Sequence, residues 1–174
     1  SFSIAELVHD LAVKFRPKAQ EYDLTLDTEI GADVSVYGDI GMIERLLSNL
    51  IENAIENTRP GGRVTVRLEE GEDGIRVEVA DTGTGIPAEE VPLVTQRFYR
   101  VDSTGRAPED ETGGPPRRAN EEGSGLGLAI AAEIADRHGG ELEIESEVGE
   151  GTTIAVGLPR GPDEGQRLEK NGTS

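Results

Sequence analysis

Two adjacent segments in which apolar and polar residues alternate constrain the fold of this chain more than any other feature. Residues 63–69 and 74–80 each place their apolar side chains on one face, and a short polar turn joins them. Such alternation is typical of half-buried β-strands. The apolar positions are Val64, Val66 and Leu68 in the first segment and Ile75, Val77 and Val79 in the second. Because these positions can lie opposite one another, the sequence predicts an antiparallel hairpin with one buried face.

The remaining periodic segments predict three helices and further strands. Ser3 can cap a first helix, which Pro17 should end or kink, and Asp39 can cap a second helix that runs to about Asn57. A third helix opens at residues 125–128 and reaches His138. Strands are predicted at residues 23–30, with Leu24, Leu26 and Ile30 facing one way, at 34–37, at 141–146 and at 152–158. Each helix has one apolar stripe and each strand one apolar face. We therefore expect an α/β two-layer sandwich, with one mixed sheet and the helices on one face.

Two stretches fall outside these patterns. Residues 100–124 have no hydrophobic period and are dominated by glycine, proline and charged residues. Loops longer than roughly 12–15 residues in a compact domain are usually lids, binding loops or disordered segments. We expect a long mobile lid at about residues 88–124. Residues 160–174 are polar and glycine-rich, which predicts a disordered tail after a domain of residues 1–159.

Charge and cysteine content restrict the possible partners. The chain has 17 Lys and Arg residues against 35 Asp and Glu residues, a formal net charge of −18. Such a chain is a poor match for nucleic acid or for an anionic membrane surface. The absence of cysteine excludes disulfides and thiolate chemistry and suits a cytoplasmic location. No apolar run approaches the ~20 residues of a membrane span, and we expect this segment to make no direct membrane contact.

A carboxylate and two glycines follow directly after the second strand of the predicted hairpin. The loop reads Asp81-Thr82-Gly83-Thr84-Gly85-Ile86-Pro87. Its glycines allow a ligand to approach the main chain closely, and Pro87 stops further strand pairing. The order matches neither the dinucleotide fingerprint nor the P-loop. By itself the pattern fits an ordinary turn as well as a ligand site.

Two asparagines lie on one face of the second helix. Asn49 and Asn53 are four residues apart and therefore one above the other, and Glu56 continues the same stripe. An amide oxygen is a neutral ligand that can hold Mg²⁺ while the ion keeps most of its waters. A solvated helix face is the alternative explanation.

Glycines and arginines flank the expected lid. Gly123, Gly125 and Gly127 lead into a helix, whose first N–H groups can bind an anion, or they can serve as a hinge. Before the lid, residues 96–100 place an aromatic pair between two arginines, which could meet phosphate oxygens bidentately. Phe98 could anchor the lid or belong to the core.

In this order, the four stretches resemble the ATP-binding catalytic domain of sensor histidine kinases, within the superfamily of gyrase, heat-shock chaperone, histidine kinase and mismatch-repair ATPases. The resemblance covers about residues 3–159. Residues 48–54 look like the N box of that family, 81–87 like its G1 box, 97–100 like its F box and 123–128 like its G2 box. Residues 138–140 and 149–153 are similar to the closing segments of the family.

The resemblance implies ATP and Mg²⁺ as cofactors. Asp81 would accept a hydrogen bond from the adenine amino group, and Asn53 would hold Mg²⁺ with Asn49 assisting. Arg97 or Arg100 would steady the γ-phosphate, so the implied catalytic residues are Asn49, Asn53, Arg97 and Arg100. The remaining nucleotide-binding residues implied are Gly83, Gly85, Ile86, Phe98, Tyr99, Gly123, Ser124, Gly125, Leu126, Gly127, Leu128 and Thr152.

The resemblance also implies an activity and partners. The chain would transfer the γ-phosphoryl group to a histidine on a separate dimerisation and phosphoacceptor domain of the same parent protein, with a response regulator downstream in two-component signalling. Hydrolases of the superfamily carry a glutamate where this chain has Asn49, which favours kinase over ATPase. Neither His9 nor His138 lies in a His-Glu-x-x-Thr-Pro acceptor motif. We therefore expect a catalytic domain that is incomplete as a histidine kinase by itself and belongs to a larger, membrane-anchored parent.

Two positions depart from the family pattern. Glu56 stands where the family usually has Lys or Arg, and Asn57 where it has an aromatic residue. Glu56 would repel phosphate unless an arginine such as Arg59, Arg97 or Arg100 compensates. A nucleotide-binding pseudokinase therefore remains an alternative. A related serine kinase acting on a regulatory protein is another, although the well-formed F box argues against it.

Overall fold

The computed structural model describes residues 1–31, 35–72, 74–95 and 127–160. Helices are labelled α and strands β in chain order, and a short 3-10 turn covers Val91–Leu93. The elements are β1 (Phe2–Ser3), α1 (Ile4–Glu21), β2 (Thr25–Ile30), β3 (Ser35–Val36), α2 (Ile40–Asn57), β4 (Arg63–Glu70), β5 (Gly74–Asp81), α3 (Gly127–Arg137), β6 (Leu142–Glu147) and β7 (Gly151–Pro159).

Five strands form a mixed sheet in the order β2-β4-β5-β7-β6. β2 runs parallel to β4, and the other three pairings are antiparallel. The predicted hairpin is confirmed as β4 and β5, with Val66 opposite Val79 and Leu68 opposite Val77. One hydrophobic core joins the apolar stripes of α1, α2 and α3 to the inner face of the sheet. The predicted α/β two-layer arrangement is thereby confirmed.

The second helix begins and ends where the sequence predicts. The Asp39 carboxylate accepts a hydrogen bond from the Met42 N–H at 3.1 Å and so caps the helix. Its apolar positions, spaced three and four apart, are all buried. They are Ile43, Leu46, Leu47, Leu50, Ile51, Ala54 and Ile55. Because a fully buried side chain of this size contributes roughly 1.5–3 kcal/mol, this stripe ties the helix firmly to the sheet.

Of the two outcomes predicted at Pro17, an end or a kink, the end is wrong, because the first helix continues past this residue. At the start of the helix, the Ser3 hydroxyl accepts a hydrogen bond from the Glu6 N–H at 3.2 Å. The helix extends to Glu21. Pro17 cannot donate to the carbonyl group of Val13. Both residues are exposed, so water can take the place of the missing hydrogen bond.

The sheet has an apolar inner face and a charged outer face. On the outer face, Arg67 pairs with Glu29 at 2.6 Å, and Arg76 pairs with Glu78 at 2.8 Å and also with Glu143. These pairs link β2 to β4 and β5 to β6. Since charged side chains occupy this face, the helices pack on the other one.

Two residues at the periphery of the sheet need separate description. Ile30 lies at the end of the edge strand β2 and is 44% exposed, so it does not share the burial of Leu24 and Leu26. Arg160, expected to begin a disordered tail, instead pairs with Glu70 and bridges to Val36. The other tail residues, 161–174, lie outside the described part of the chain. None of the helices within the described ranges is long and apolar enough to cross a membrane.

Candidate functional site

The carboxyl group of Asp81 lies at the end of β5, buried to 9% exposure. Its Oδ1 atom accepts a hydrogen bond from the Gly83 N–H at 2.9 Å and another from the Thr152 N–H at 3.2 Å. Burial raises the pKa of Asp81 to about 6, although both N–H donors act to lower it. Both of these donors bind Oδ1, so within the described residues the other oxygen, Oδ2, can accept from a ligand.

Gly83 allows the loop after β5 to pack against the end of α2. A Cβ atom at this position would lie 2.3 Å from the Asn57 carbonyl oxygen and 2.8 Å from Asp81 Oδ1. Neither distance is tolerable for a real side chain. The glycine is therefore required for the main chain to turn back onto the carboxylate.

The other side of the loop rests on the turn between β6 and β7. Gly85 has a φ of 75°, and a Cβ there would lie 2.2 Å from the Glu147 carbonyl oxygen. The Gly149 N–H donates to the Thr84 carbonyl oxygen at 2.9 Å. The loop is thus held between α2 and the last hairpin.

Ser146 joins three parts of this wall. Its Oγ atom accepts from the Ile86 N–H at 2.7 Å and lies 2.8 Å from the Thr152 hydroxyl, and it donates to the Gly151 carbonyl oxygen at 3.1 Å. Thr152, a predicted nucleotide-binding residue, therefore directs both its N–H and its hydroxyl at other residues of the site. Thr152 therefore helps to hold the Asp81 carboxylate in place through its N–H.

Three asparagines follow one another along α2 at intervals of four residues. Asn57 Nδ2 donates to Asn53 Oδ1 at 3.2 Å, and the Asn57 carbonyl oxygen accepts from the Thr84 N–H at 3.3 Å. Asn49 lies one turn before Asn53. The last turns of α2 therefore connect the predicted asparagine pair to the loop that carries Asp81.

Asn49 has a buried amide nitrogen without a hydrogen-bond partner in the described part of the chain. A buried donor left unpaired costs about 1–3 kcal/mol, so a site that retains one is suited to an acceptor from a ligand. Gly127, the first residue of α3, lies beside it: a Cβ at Gly127 would be 3.9 Å from Asn49 Cβ. Two predicted site residues, about eighty positions apart in sequence (127 − 49 = 78), are thus neighbours.

The donor set fits a magnesium ion that is held mainly by phosphate. The described residues contain no group of three His, Cys, Asp or Glu side chains able to hold a metal ion by themselves. Magnesium in nucleotide sites usually keeps several waters and takes one or two protein oxygens in addition to phosphate oxygens. The Asn53 amide oxygen is a donor of the kind that such an ion takes.

Part of the predicted site lies outside the described residues. Gly127 and Leu128 begin α3, where both are half-buried and Leu128 packs against the core. Of the expected lid, residues 88–95 are described. The residues that lie outside the described ranges are Arg97, Phe98, Tyr99, Arg100, Gly123, Ser124, Gly125 and Leu126. Their roles stay predictions.

His138 has a structural position at the other end of α3. Its Nδ1 donates to the Ile134 carbonyl oxygen at 2.8 Å, and its Nε2 accepts from the Asp39 N–H at 3.3 Å. This ring links the end of α3 to the start of α2. It thereby fixes how the helix carrying the asparagines sits against the helix that begins at Gly127.

Two residues of the site, Ser146 and Asn57, were not predicted. The four-residue interval from Asn53 could have identified Asn57, which otherwise stands out only as a departure from an aromatic residue. No local signal identifies Ser146, because its partners come from three separate segments.

The sequence profile of one protein family matches residues 38–162, which is most of the chain. This family is described as histidine kinase-, DNA gyrase B- and HSP90-like ATPase. Among curated proteins, the sensor protein SrrB of Staphylococcus aureus is 32% identical over 157 residues. The match covers 90% of this chain and 25% of SrrB, so the chain spans about a quarter of the length of that relative.

Solved structures of histidine kinases are also similar to this chain. The mycobacterial sensor histidine kinase MprB is similar with a TM-score of 0.72 and 29% identity, over 92% of this chain and 97% of that one. The catalytic domain of the histidine kinase ThkA is similar with a TM-score of 0.73 and 27% identity, over 91% of this chain and 93% of that one. ThkA has also been solved in complex with the response regulator protein TrrA; that structure is similar with a TM-score of 0.71 and 25% identity, over 94% of this chain and 42% of that one.

Proposed function

Because the chain belongs to the family of histidine kinase-, DNA gyrase B- and HSP90-like ATPases, we propose that it binds Mg-ATP and transfers the γ-phosphoryl group to a histidine on a separate phosphoacceptor domain. Its relatives are sensor histidine kinases, and it has the catalytic domain of that type. The observation that carries the proposal is the Asp81 carboxylate, buried at a strand end with Oδ1 bound to two N–H groups.

On the adenine side, Asp81 Oδ2 accepts a hydrogen bond from the exocyclic amino group. Adenine offers a donor at this position, whereas guanine offers a carbonyl oxygen that the carboxylate repels. A charge-assisted hydrogen bond in a buried site is stronger than one in water. The two N–H groups on Oδ1 hold the carboxylate in place before the nucleotide arrives.

On the phosphate side, the Asn49 amide nitrogen, which has no hydrogen-bond partner among the described residues, donates to a phosphate oxygen. Asn53 offers its amide oxygen to Mg²⁺, which neutralises phosphate charge when it is bound. The start of α3 lies next to Asn49, and the partial positive charge of a helix N-terminus favours phosphate. Positioning and charge neutralisation account for most of the catalysis in phosphoryl transfer, so the site needs no strong base of its own.

The residue at position 49 favours transfer over hydrolysis. An asparagine amide cannot take a proton from water, because its oxygen is a very weak base and its nitrogen only donates. Asn49 therefore does not activate water as a nucleophile. The γ-phosphoryl group is instead transferred to a histidine side chain of the acceptor domain, whose imidazole is itself nucleophilic.

The partners follow from the relatives. ThkA forms a complex with a response regulator, and the chain corresponds to about a quarter of SrrB. We infer that the phosphoacceptor and dimerisation domain belongs to the same parent protein, that a response regulator acts downstream, and that this domain works in the cytoplasm.

The proposal is tested by supplying the acceptor separately. The 174-residue chain, Mg-ATP labelled at the γ-phosphate and a separate phosphoacceptor domain are mixed, and acid-labile phosphate on the acceptor is followed. We expect labelling that needs both proteins and that disappears when the acceptor histidine is replaced by glutamine. Acid-stable label would indicate a serine kinase instead.

A nucleotide-binding module without transfer is the second candidate. It is favoured by Glu56, a carboxylate one turn after Asn53 on α2 where phosphate charge must be accommodated. ATP binding without labelling of any acceptor would establish this candidate over the kinase.

A further inference from the structure

We propose that Asn57 is a positioning residue that orients the Asn53 amide towards the phosphate end of the site and links that amide to the adenine loop. This inference rests on the proposed function. It concerns a position at which the family usually has an aromatic residue. Asn57 is not proposed to touch the reacting phosphate itself.

The first contact that supports this role is within α2. Asn57 Nδ2 donates to Asn53 Oδ1 at 3.2 Å, and both side chains are half-buried. The terminal torsion of a free asparagine is broad, so an isolated Asn53 amide would sample many orientations. The hydrogen bond from Asn57 fixes the amide plane. It uses one lone pair of Oδ1 and leaves the second for a cation.

The second contact joins the same residue to the adenine loop. The Asn57 carbonyl oxygen accepts from the Thr84 N–H at 3.3 Å, and Gly83 packs directly against that oxygen. Asn57 is therefore bound through its main chain to the segment beside Asp81 and through its side chain to Asn53. One residue thus holds both the adenine loop and the candidate magnesium ligand in position.

These contacts give the departure at position 57 a physical explanation. A phenylalanine in this place could pack but could not donate to an amide oxygen. With asparagine, α2 carries a continuous line of amides from Asn49 through Asn53 to Asn57. The link between the two ends of the site is then polar and directional.

The experiment compares nucleotide affinity with and without magnesium. Calorimetric titrations of the full chain with ATP are made in excess Mg²⁺ and again in EDTA, for the unaltered chain, Asn57→Ala, Asn53→Ala and the double variant. Asn57→Leu, which keeps the side-chain size, replaces Asn57→Ala if the alanine variant does not fold by circular dichroism.

We expect Asn57→Ala to reduce the gain in affinity from Mg²⁺ by about fivefold, the effect of losing one neutral hydrogen bond. Affinity in EDTA should change by less than twofold. In the Asn53→Ala background, Asn57→Ala should not reduce the magnesium gain further, because Asn57 acts through Asn53.

Two results would overturn the inference alone. Equal losses with and without Mg²⁺ would mean that Asn57 only supports the adenine loop, and additive losses in the double variant would mean that it does not act through Asn53. Failure of the unaltered chain to bind ATP under any condition would instead remove the proposed function, and this inference with it.

Discussion

Thr152 lies directly opposite Asp81 across strands β5 and β7, and its N–H donates to Asp81 Oδ1 at 3.2 Å. Position 152 thus provides both strand pairing and a hydrogen bond to the carboxylate. The orientation of the buried carboxylate is therefore set by the register of the sheet, which is a rigid element. A site built this way is preformed before any ligand binds.

Asp81→Asn should weaken ATP binding by at least about tenfold, the value of one charge-assisted hydrogen bond. The amide can still accept at one atom, but it presents an N–H where the adenine amino group needs an acceptor. Calorimetric titration measures the effect. The control is Asp10→Asn, which makes the same charge change at an exposed position on α1. Unchanged affinity in Asp81→Asn would place the adenine elsewhere.

The same substitution should make the ligand-free domain more stable at neutral pH. Burial raises the pKa of Asp81 from 3.8 to about 6. Between these two pH values the folded state therefore keeps a proton on Asp81 that the unfolded state has released. The contribution of Asp81 to stability is therefore full below pH 3.8, falls as pH rises towards about 6 and stays low above it.

Urea unfolding at two pH values tests this sign. At pH 7.5 Asp81→Asn should gain on the order of 2–3 kcal/mol over the unaltered chain, and near pH 4 the gain should largely vanish. A gain that is the same at both pH values would mean that burial of charge is not its cause.

Gly85→Ala should disrupt the adenine loop, whereas Gly149→Ala should be mild. Both glycines have positive φ, 75° and 85°, so both variants bear the same backbone strain of about 1 kcal/mol. Only at Gly85 would the new Cβ meet backbone, 2.2 Å from the Glu147 carbonyl oxygen; at Gly149 nothing lies within 4 Å. Thermal unfolding and ATP titration of the two variants give the comparison. Equal effects would show that the contact with the β6–β7 turn is unimportant.

Glu56→Lys should bind ATP as tightly as the unaltered chain or more tightly. Glu56 follows Asn53 by one turn of α2, so replacing a negative charge by a positive one favours phosphate at this end of the site. Titration at low and high salt should show the largest difference at low salt. Clearly weaker binding in the lysine variant would reveal a favourable role of Glu56 in the site.

Much of this architecture follows from local patterns. The limits of α2 depend on a cap at Asp39 and on a stripe spaced three and four apart, both of which are encoded within the helix itself. The β4–β5 hairpin is likewise encoded by alternation across a short turn. The likeness to sensor histidine kinases, first seen in the order of the motifs, is confirmed by the family profile and by the solved relatives.

Other features depend on segments that are remote in sequence. The pairing of β1 with β3 and the parallel alignment of β2 with β4 were not predicted, because neither follows from a turn or a local period. The exposure of Ile30 was missed for a related reason: strand alternation gives the direction of a side chain, but the strand order decides whether anything covers it. Proline usually ends a helix because it lacks an N–H donor. At the exposed position 17, water can take the place of the missing hydrogen bond, and the helix continues.

The amino-acid sequence by itself determined most of the elements, the family and the candidate residues for the chemistry, since these depend on residue type and on spacing along one helix or strand. Only the tertiary structure decided how the chemistry is held. Ser146 meets Ile86 and Thr152, and the Asn57 carbonyl oxygen meets the Thr84 N–H, because packing brings together the ends of α2, β5 and β6. Hydrogen bonds between remote segments have strict requirements of distance and direction, and no pattern along the chain encodes them.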